Sequence, residues 1–243
     1  MVIPRFYCPC PLAAHQLLEL PEQVAHHALR VLRLGAGAEI VLFDGQGGEY
    51  PAGLQIEGKK GYAQLGALRL IDRELPGPIT LAQGIPSGDK MDWIVEKAVE
   101  LGAQRLIPIA AQRSVSQLSG ERLEKRLRRW AGIAQAASEQ CGRNRIMSIA
   151  APLSLQTCLE QIDTSTQILF CDPDATQTLA QALRPDNQGL MLLVGPEGGW
   201  SEEEQALAAR HTLGAVQFGK RIFRTETAGL ALIAASSALK GWM

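Results

Sequence analysis

An excess of either charge is missing: 24 basic against 25 acidic side chains leave a net charge of -1. No global field therefore draws the chain to nucleic acid or to an acidic membrane surface. Long apolar runs are also missing, and the opening "MVIPRFYCPC" has neither a basic start followed by an apolar stretch nor a small-residue cleavage site. A cytoplasmic protein is expected. Cysteine is sparse: Cys8, Cys10, Cys141, Cys158 and Cys171 are an odd set without a repeated CxxC spacing, so neither a disulfide framework nor a zinc site is indicated. His26 and His27 are adjacent and point apart on a helix, and no metal is expected. The nucleotide fingerprints GxxxxGK[ST] and GxGxxG before a helix are absent as well. That weakens any reading as a phosphate-transferring or dinucleotide enzyme.

What is present suits a soluble globular chain. At 243 residues and 46% hydrophobic content, there is core material for one large or two small domains. Up to about residue 74 the pattern is short strands, glycine turns and one helix, "EQVAHHALRVLRL", with Val24, Leu29, Val31, Leu32 and Leu34 in loosely helical spacing. A small, mostly β barrel is the expectation, with "DGQGGEY" as a hairpin turn. Two prolines and a glycine make Leu75 to Pro78 a linker.

From Ile79 strands and helices alternate. "ITLAQGI" and "RLIPIAA" flank "DKMDWIVEKAVELGA", whose Ile94, Val95, Ala98, Val99 and Leu101 face inward and whose Gly102 caps the end, a parallel βαβ unit. "ERLEKRLRRWAGIAQAASEQCGR" is a helix with a buried stripe and a basic outer face. From Glu121 to Arg145 seven basic residues stand against three acidic ones, a local patch that suits phosphate. The strands "QILFCD", "GLMLLVG" and "GAVQFG" follow, and Ser201 with Glu204 forms a capping box at the start of "SEEEQALAARHTL". The final helix, "TETAGLALIAASSALKGWM", is apolar nearly all round and needs cover from the fold or from a second subunit.

Two stretches carry the chemistry. "LLVGPEGGWSEEE" puts a glycine turn where a parallel sheet has its ligand crevice, beyond the carboxyl end of a strand. Glycine lets a ligand approach the main chain there, and a merely structural tight turn is the alternative. "GKRIFRTETAG" presents Arg224, Thr225, Glu226 and Thr227 at a helix start, where backbone donors and hydroxyls collect.

Taken together, "LLVGPEGGWSEEE", "FGKRIFRTETAG", "KMDWIVEKAVELGA", "QRSV", "AASEQCGRNR", "IPRFY" and "HHALRVLRLGAGAEIVLFDGQGGEY" resemble, in order and spacing, the ribosomal small subunit methyltransferase E family. Its members make N3-methyluridine in 16S ribosomal RNA. The resemblance implies an α/β fold of SPOUT type, a parallel sheet with a C-terminal trefoil knot (residues 75–243), preceded by a small PUA-like β-barrel domain that binds RNA (residues 1–74). It further implies S-adenosyl-L-methionine as cofactor, a homodimer, and 16S ribosomal RNA of the small subunit as partner. Carried over by position, the cofactor residues are Leu193, Val194, Gly195, Glu197, Gly198 and Gly199, then Phe218, Gly219, Ile222, Phe223, Arg224, Thr225 and Thr227. Phe223 stands where the family often has leucine.

Arg224 is expected to stabilise a developing uridine anion or to anchor a phosphate, and Glu197 and Glu226 are the acid/base candidates. For RNA, the expected phosphate contacts are Arg113, Arg122, Lys125, Arg126, Arg129, Arg143 and Arg145, with Arg5, Arg30 and Arg33 in the first domain. A non-catalytic RNA-binding module of the same fold is the remaining alternative.

Overall fold

The computed structural model describes residues 3–114, 119–186, 188–211 and 214–243. Val115 of the "QRSV" stretch lies outside them. Two units partition the chain: Met1–Glu74 together with Ser138–Ile146, and Leu75–Ala137 together with Met147–Met243. Residues 138–146 thus group with the first unit, on the far side in sequence of the expected boundary at residue 74. These residues join the first unit through buried polar bonds: Arg143 pairs with Glu74, and the Glu139 carboxylate accepts from the Tyr7 amide at 2.9 Å.

In the first unit, β1 (Arg5–Tyr7), β2 (Leu17–Glu19), β3 (Glu39–Phe43), β4 (Tyr50–Glu57) and β5 (Lys60–Leu65) form one sheet in the order β1-β3-β4-β5-β2. The glycines between β3 and β4 close an antiparallel hairpin, and Gly45, Gly47 and Gly48 all have positive φ there. The expected helix is split. α1 (Glu22–His26) passes at once into a π-helical turn, His27–Val31. The extra residue in that turn rotates the apolar stripe, so Val24 and Ala28 are buried while Val31 and Leu32 face solvent.

Among the described residues the second unit holds seven strands in the order β10-β12-β9-β11-β6-β7-β8, all pairs parallel: β6 (Ile79–Gly84), β7 (Arg105–Ile109), β8 (Ser148–Ile149), β9 (Gln167–Cys171), β10 (Gln177–Thr178), β11 (Leu190–Val194) and β12 (Gly214–Gln217). β11 is the unbroken apolar run "LMLLV". Every residue of it is buried, as a strand covered on both faces requires.

Helices α2 (Lys90–Glu100), α3 (Gly120–Cys141), α4 (Leu155–Glu160), α5 (Leu179–Ala182), α6 (Glu202–Arg210) and α7 (Thr225–Leu239) complete the chain. α3 belongs to the second unit as far as Ala137. α7 packs on α2, β6 and β11, and buries Leu230, Leu232, Ile233, Ser236 and Ser237 against its own chain. Its closest approach is at Gly229, where an added Cβ would stand 3.0 Å from side-chain atoms of Leu81 and Gln83. Both halves of the capping box at Ser201 and Glu204 are formed. Glu204 also accepts from the Gln112 amide at 3.0 Å, which ties the start of α6 to the segment after β7.

Candidate functional site

The carboxyl ends of β9 and β11 and the start of α7, with Lys90 of α2 and Arg113, come together in the second unit around a cavity of about 460 Å³. The first wall is the turn after β11. Its approach to β6 is so close that a Cβ on Gly84 would lie 2.4 Å from the Pro196 nitrogen and 2.8 Å from the Gly195 carbonyl carbon. Only a residue without a side chain fits there. Gly199 turns with a φ of +68°, and its amide closes the turn on the Pro196 carbonyl at 2.9 Å.

The second wall is the start of α7. Thr225 is buried, and its hydroxyl donates to the Gly195 carbonyl while accepting from the Gln83 amide at 2.8 Å. The two sequence stretches that suggested a ligand site are thus hydrogen-bonded to each other. The third wall is Cys171 to Asp174 after β9. Burial foremost, with Asp172 adding to it, pushes the Cys171 thiol up to about 11, so it is a neutral thiol near pH 7 and no nucleophile. Trp200 completes the floor, stacked on Phe170 with ring centroids 5.3 Å apart.

Glu197 is held by three donors: the Ser87 amide at 3.0 Å, the Ser87 hydroxyl at 2.7 Å and the Lys90 ammonium at 2.7 Å. Burial alone would raise its carboxyl. The bonds from Lys90 and Ser87 outweigh that and hold it at about 2. A carboxylate so bonded, with its pKa held low, is a weak proton acceptor. Glu226 differs. Its Oε2 is buried without a hydrogen-bond partner, 3.9 Å from the Lys90 ammonium. Arg224 is the N-cap of α7, and its side chain is exposed at the cavity rim.

Of the expected cofactor residues, Val194, Gly195, Glu197, Gly199, Ile222, Phe223, Arg224 and Thr225 line the cavity. Leu193, Gly198, Phe218, Gly219 and Thr227 are not part of its wall. Leu193 points into the sheet core, and Phe218 packs on Phe223. Gly198 is needed for another neighbour. A Cβ there would meet Arg113 at 3.0 Å, and the Arg113 guanidinium donates to the Gly198 carbonyl at 3.3 Å. Sequence reasoning missed Gln83, Gly84, Ser87 and Lys90. The glycine ending "ITLAQG" was a visible signal, since a strand glycine often marks close backbone approach.

The basic candidates sort by partner. Arg5 is committed to Glu49 and Asn144, and Arg143 to Glu74; Glu49, Asn144 and Arg143 are buried, and Arg5 and Glu74 are half-buried. Both leave the set that can face phosphate, because their charges are already paired away from water. Arg126 and Arg129 are bonded to Asp89 and Asp92, each at 2.7 Å. Arg122 and Lys125 are exposed on α3, and Arg30, Arg33 and Arg145 are exposed in the first unit. Arg33 stands in the left-handed region with φ 54°, where the helical segment ends.

Comparison with known proteins gives a consistent picture. Residues 73–237 match the RNA methyltransferase domain family and residues 20–63 the RNA methyltransferase PUA domain. The ribosomal RNA small subunit methyltransferase E of Bacillus subtilis is 32% identical over 93% of this chain and 93% of its own. That of Synechocystis is 33% identical over 93% of this chain and 78% of its own. Among solved structures, the Neisseria gonorrhoeae protein of the same name, bound to S-adenosyl methionine, is 37% identical with a TM-score of 0.91 and 98% of each chain covered. A Legionella pneumophila protein in complex with the bound cofactor SAM is 30% identical with a TM-score of 0.92, again over 98% of each chain.

Proposed function

The chain belongs to the ribosomal RNA small subunit methyltransferase E family, and from that premise we propose that it methylates N3 of a uridine in 16S ribosomal RNA with S-adenosylmethionine as donor. The observation that carries this reading is the cavity between the 195–199 turn and the start of α7. A volume of about 460 Å³ is in the range of small-molecule sites. The donor set fits the cofactor: Asp172, Asp174 and Glu226 offer carboxylates to hydroxyl, ammonium and sulfonium groups. Among the described residues, Trp200 Nε1 and Glu226 Oε2 are a buried donor and a buried acceptor without hydrogen-bond partners.

Bound there, the cofactor supplies an electrophilic methyl group. The chain's own residues do the rest. The glycine turn and Thr225 hold the cofactor edge, and positioning the acceptor nitrogen in line accounts for much of the rate. Uridine N3 carries a proton that must leave, and Glu226 is the acceptor, since Glu197 is occupied by Ser87 and Lys90. Arg224 at the rim stabilises the negative charge that develops on the uracil ring, or anchors its phosphate. Arg30, Arg33 and Arg145 of the PUA-like unit and Arg113, Arg122 and Lys125 of the second unit supply phosphate contacts.

Membership of the family extends the proposal to a knotted C-terminal topology. The proposal extends also to a cytoplasmic homodimer acting on the small subunit. Trp93, Ile222, Leu239 and Met243 are large apolar side chains left exposed in the second unit, the kind of surface a second copy covers. No helix among the described residues is long and apolar enough to cross a membrane.

The test is methylation of small-subunit RNA by the purified protein with labelled cofactor, followed by nucleoside mass spectrometry and primer extension. An N3 methyl group blocks the base-pairing edge, so extension should stop at one uridine. Label on any other atom refutes the N3 assignment, and an Arg224→Ala enzyme with the parental rate removes the arginine role.

A further inference from the structure

Gln83, at the carboxyl end of β6, is fully buried and no part of the cavity wall, yet it governs how two of the wall residues are oriented. Its amide nitrogen donates to the Gly84 carbonyl at 3.1 Å and to the Thr225 hydroxyl at 2.8 Å. The Gly84 carbonyl can only accept, which fixes the amide with its nitrogen on that side. Thr225 Oγ1 therefore accepts a hydrogen bond from the Gln83 amide, and its own hydroxyl donates to the Gly195 carbonyl.

The surroundings are tightly packed. Gly84 is pressed against Pro196, and α7 reaches Gln83 so closely that a Cβ on Gly229 would stand 3.0 Å from Gln83 Oε1. That oxygen has no hydrogen-bond partner, so Gln83 is buried at the cost of leaving half of its amide unbonded. Burying a polar side chain at such a cost calls for a return, and the relay is the one visible return.

We infer that Gln83 is a positioning residue for cofactor binding, acting through the Thr225 hydroxyl to fix the Gly195 carbonyl and so the shape of the cavity before the ligand arrives. The inference rests on the methyltransferase reading above. Without the amide donor the threonine hydroxyl turns freely between partners, and the ordering cost moves into the binding step.

The experiment is calorimetric titration of S-adenosylhomocysteine into the full-length parent, Gln83→Met, Gln83→Glu, Thr225→Val and the double variant Gln83→Met/Thr225→Val, with thermal unfolding read alongside. Gln83→Met removes both bonds of the amide, and loss of the one to Thr225 predicts affinity about tenfold weaker. Both single variants break the same relay, so the double variant should bind about as weakly as the worse single one.

Gln83→Glu supplies a signature that a merely structural role would not. An ionised carboxylate repels the Gly84 carbonyl and takes the threonine proton, whereas a protonated one donates again. Its affinity should improve as pH falls from about 9 to about 6, a range set by the raised pKa of a buried glutamate, while the parent's stays flat. Additive losses in the cycle, parental affinity in Gln83→Met, or a Gln83→Glu profile parallel to the parent's would overturn the inference while leaving the cofactor reading intact. Should the Gln83 variants not fold, Thr225→Val cuts the relay from its other end, and parental affinity there overturns it equally. A parent that binds no cofactor removes the reading itself, and the inference with it.

Discussion

Gly84→Ala is the smallest change that should disable the site. A Cβ at that position falls 2.4 Å from the Pro196 nitrogen, 2.5 Å from Pro196 Cδ and 2.8 Å from the Gly195 carbonyl carbon. Ordinary carbon contacts lie near 3.5–4.0 Å, so something must move by about 1 Å. The neighbours are main chain and a proline ring, not the far end of a flexible side chain, and the turn they belong to is held by Thr225 on its other side. Overpacking of this kind costs about 1–3 kcal/mol, and a rigid neighbour puts this case at about 3.

The requirement is for space, not for backbone freedom, because Gly84 has no left-handed φ. Gly→Ala in an unstrained position would instead stabilise by about 0.4–1 kcal/mol. Gly132 is the internal control: it lies exposed within α3, with nothing within 4 Å of an added Cβ. Gly132→Ala should gain about 0.5–1 kcal/mol. Denaturant titration should therefore show shifts of opposite sign in the two variants, and cofactor titration should show loss only in Gly84→Ala. A Gly84→Ala protein as stable as the parent and binding cofactor equally would refute the close approach on which the site is built.

Glu197 contributes stability through its depressed pKa: full above the unfolded value near 4.5 and lost as pH falls toward about 2. Partial exposure to screening solvent limits the effect to about 1–2 kcal/mol, so a urea series from about pH 6 to about pH 2.5 should show Glu197→Gln losing less stability than the parent, and parallel curves would count against the assignment. In the first unit, Arg143→Met strands the buried Glu74 carboxylate and should cost about 3–5 kcal/mol, whereas Arg143→Met with Glu74→Met should recover most of it. Calorimetric unfolding checks this, and a double variant no better than the single one would show that the pair is not the cause. For RNA, Arg122→Ala with Lys125→Ala should lower the slope of log K against log salt by about 1.5, and Arg126→Ala with Arg129→Ala by less, since Asp89 and Asp92 already neutralise the latter pair. The reverse order in a filter-binding series would place the RNA on the other side of α3.

Much of the architecture was legible because its signals are local. The apolar run "LMLLV" becomes the central strand, Ser201 and Glu204 form the capping box, and Gly102, with φ +88°, ends the segment after α2. "GPEGG" and "RTETAG" were each visible as strand-to-helix turns. What the sequence could not show is pairing at a distance. Gln83 and Thr225 are 142 residues apart, Lys90 and Glu197 are 107 apart, and no period or cap links them. Burial of charge was hidden for the same reason. Arg5 and Arg143 read as basic surface because a sequence lists charges without their partners, and only folding brings Glu49 and Glu74 to them. The π-helical turn escaped because one inserted residue breaks the helical period without changing composition.

Those long separations bear on function. A site assembled from the turn after β11, the start of α7 and the segment after β9, with the end of β6 packed behind the first two, has no local precursor, since its parts lie far apart in the sequence. Gly84 without Pro196 is an ordinary strand end, and Thr225 without Gln83 and Gly195 is an ordinary helix start. The cavity is therefore as ordered as the sheet that carries it. A ligand that touches both the turn and α7 binds only the fully folded second unit, so cofactor should stabilise that unit by mass action. Exposed side chains such as Arg224, which take no part in that bonding, are left free to meet the substrate. The division follows from burial: Gly84, Gln83, Thr225 and Gly195 are packed or bonded against one another and shape the site, while Arg224 at the rim keeps its side chain exposed.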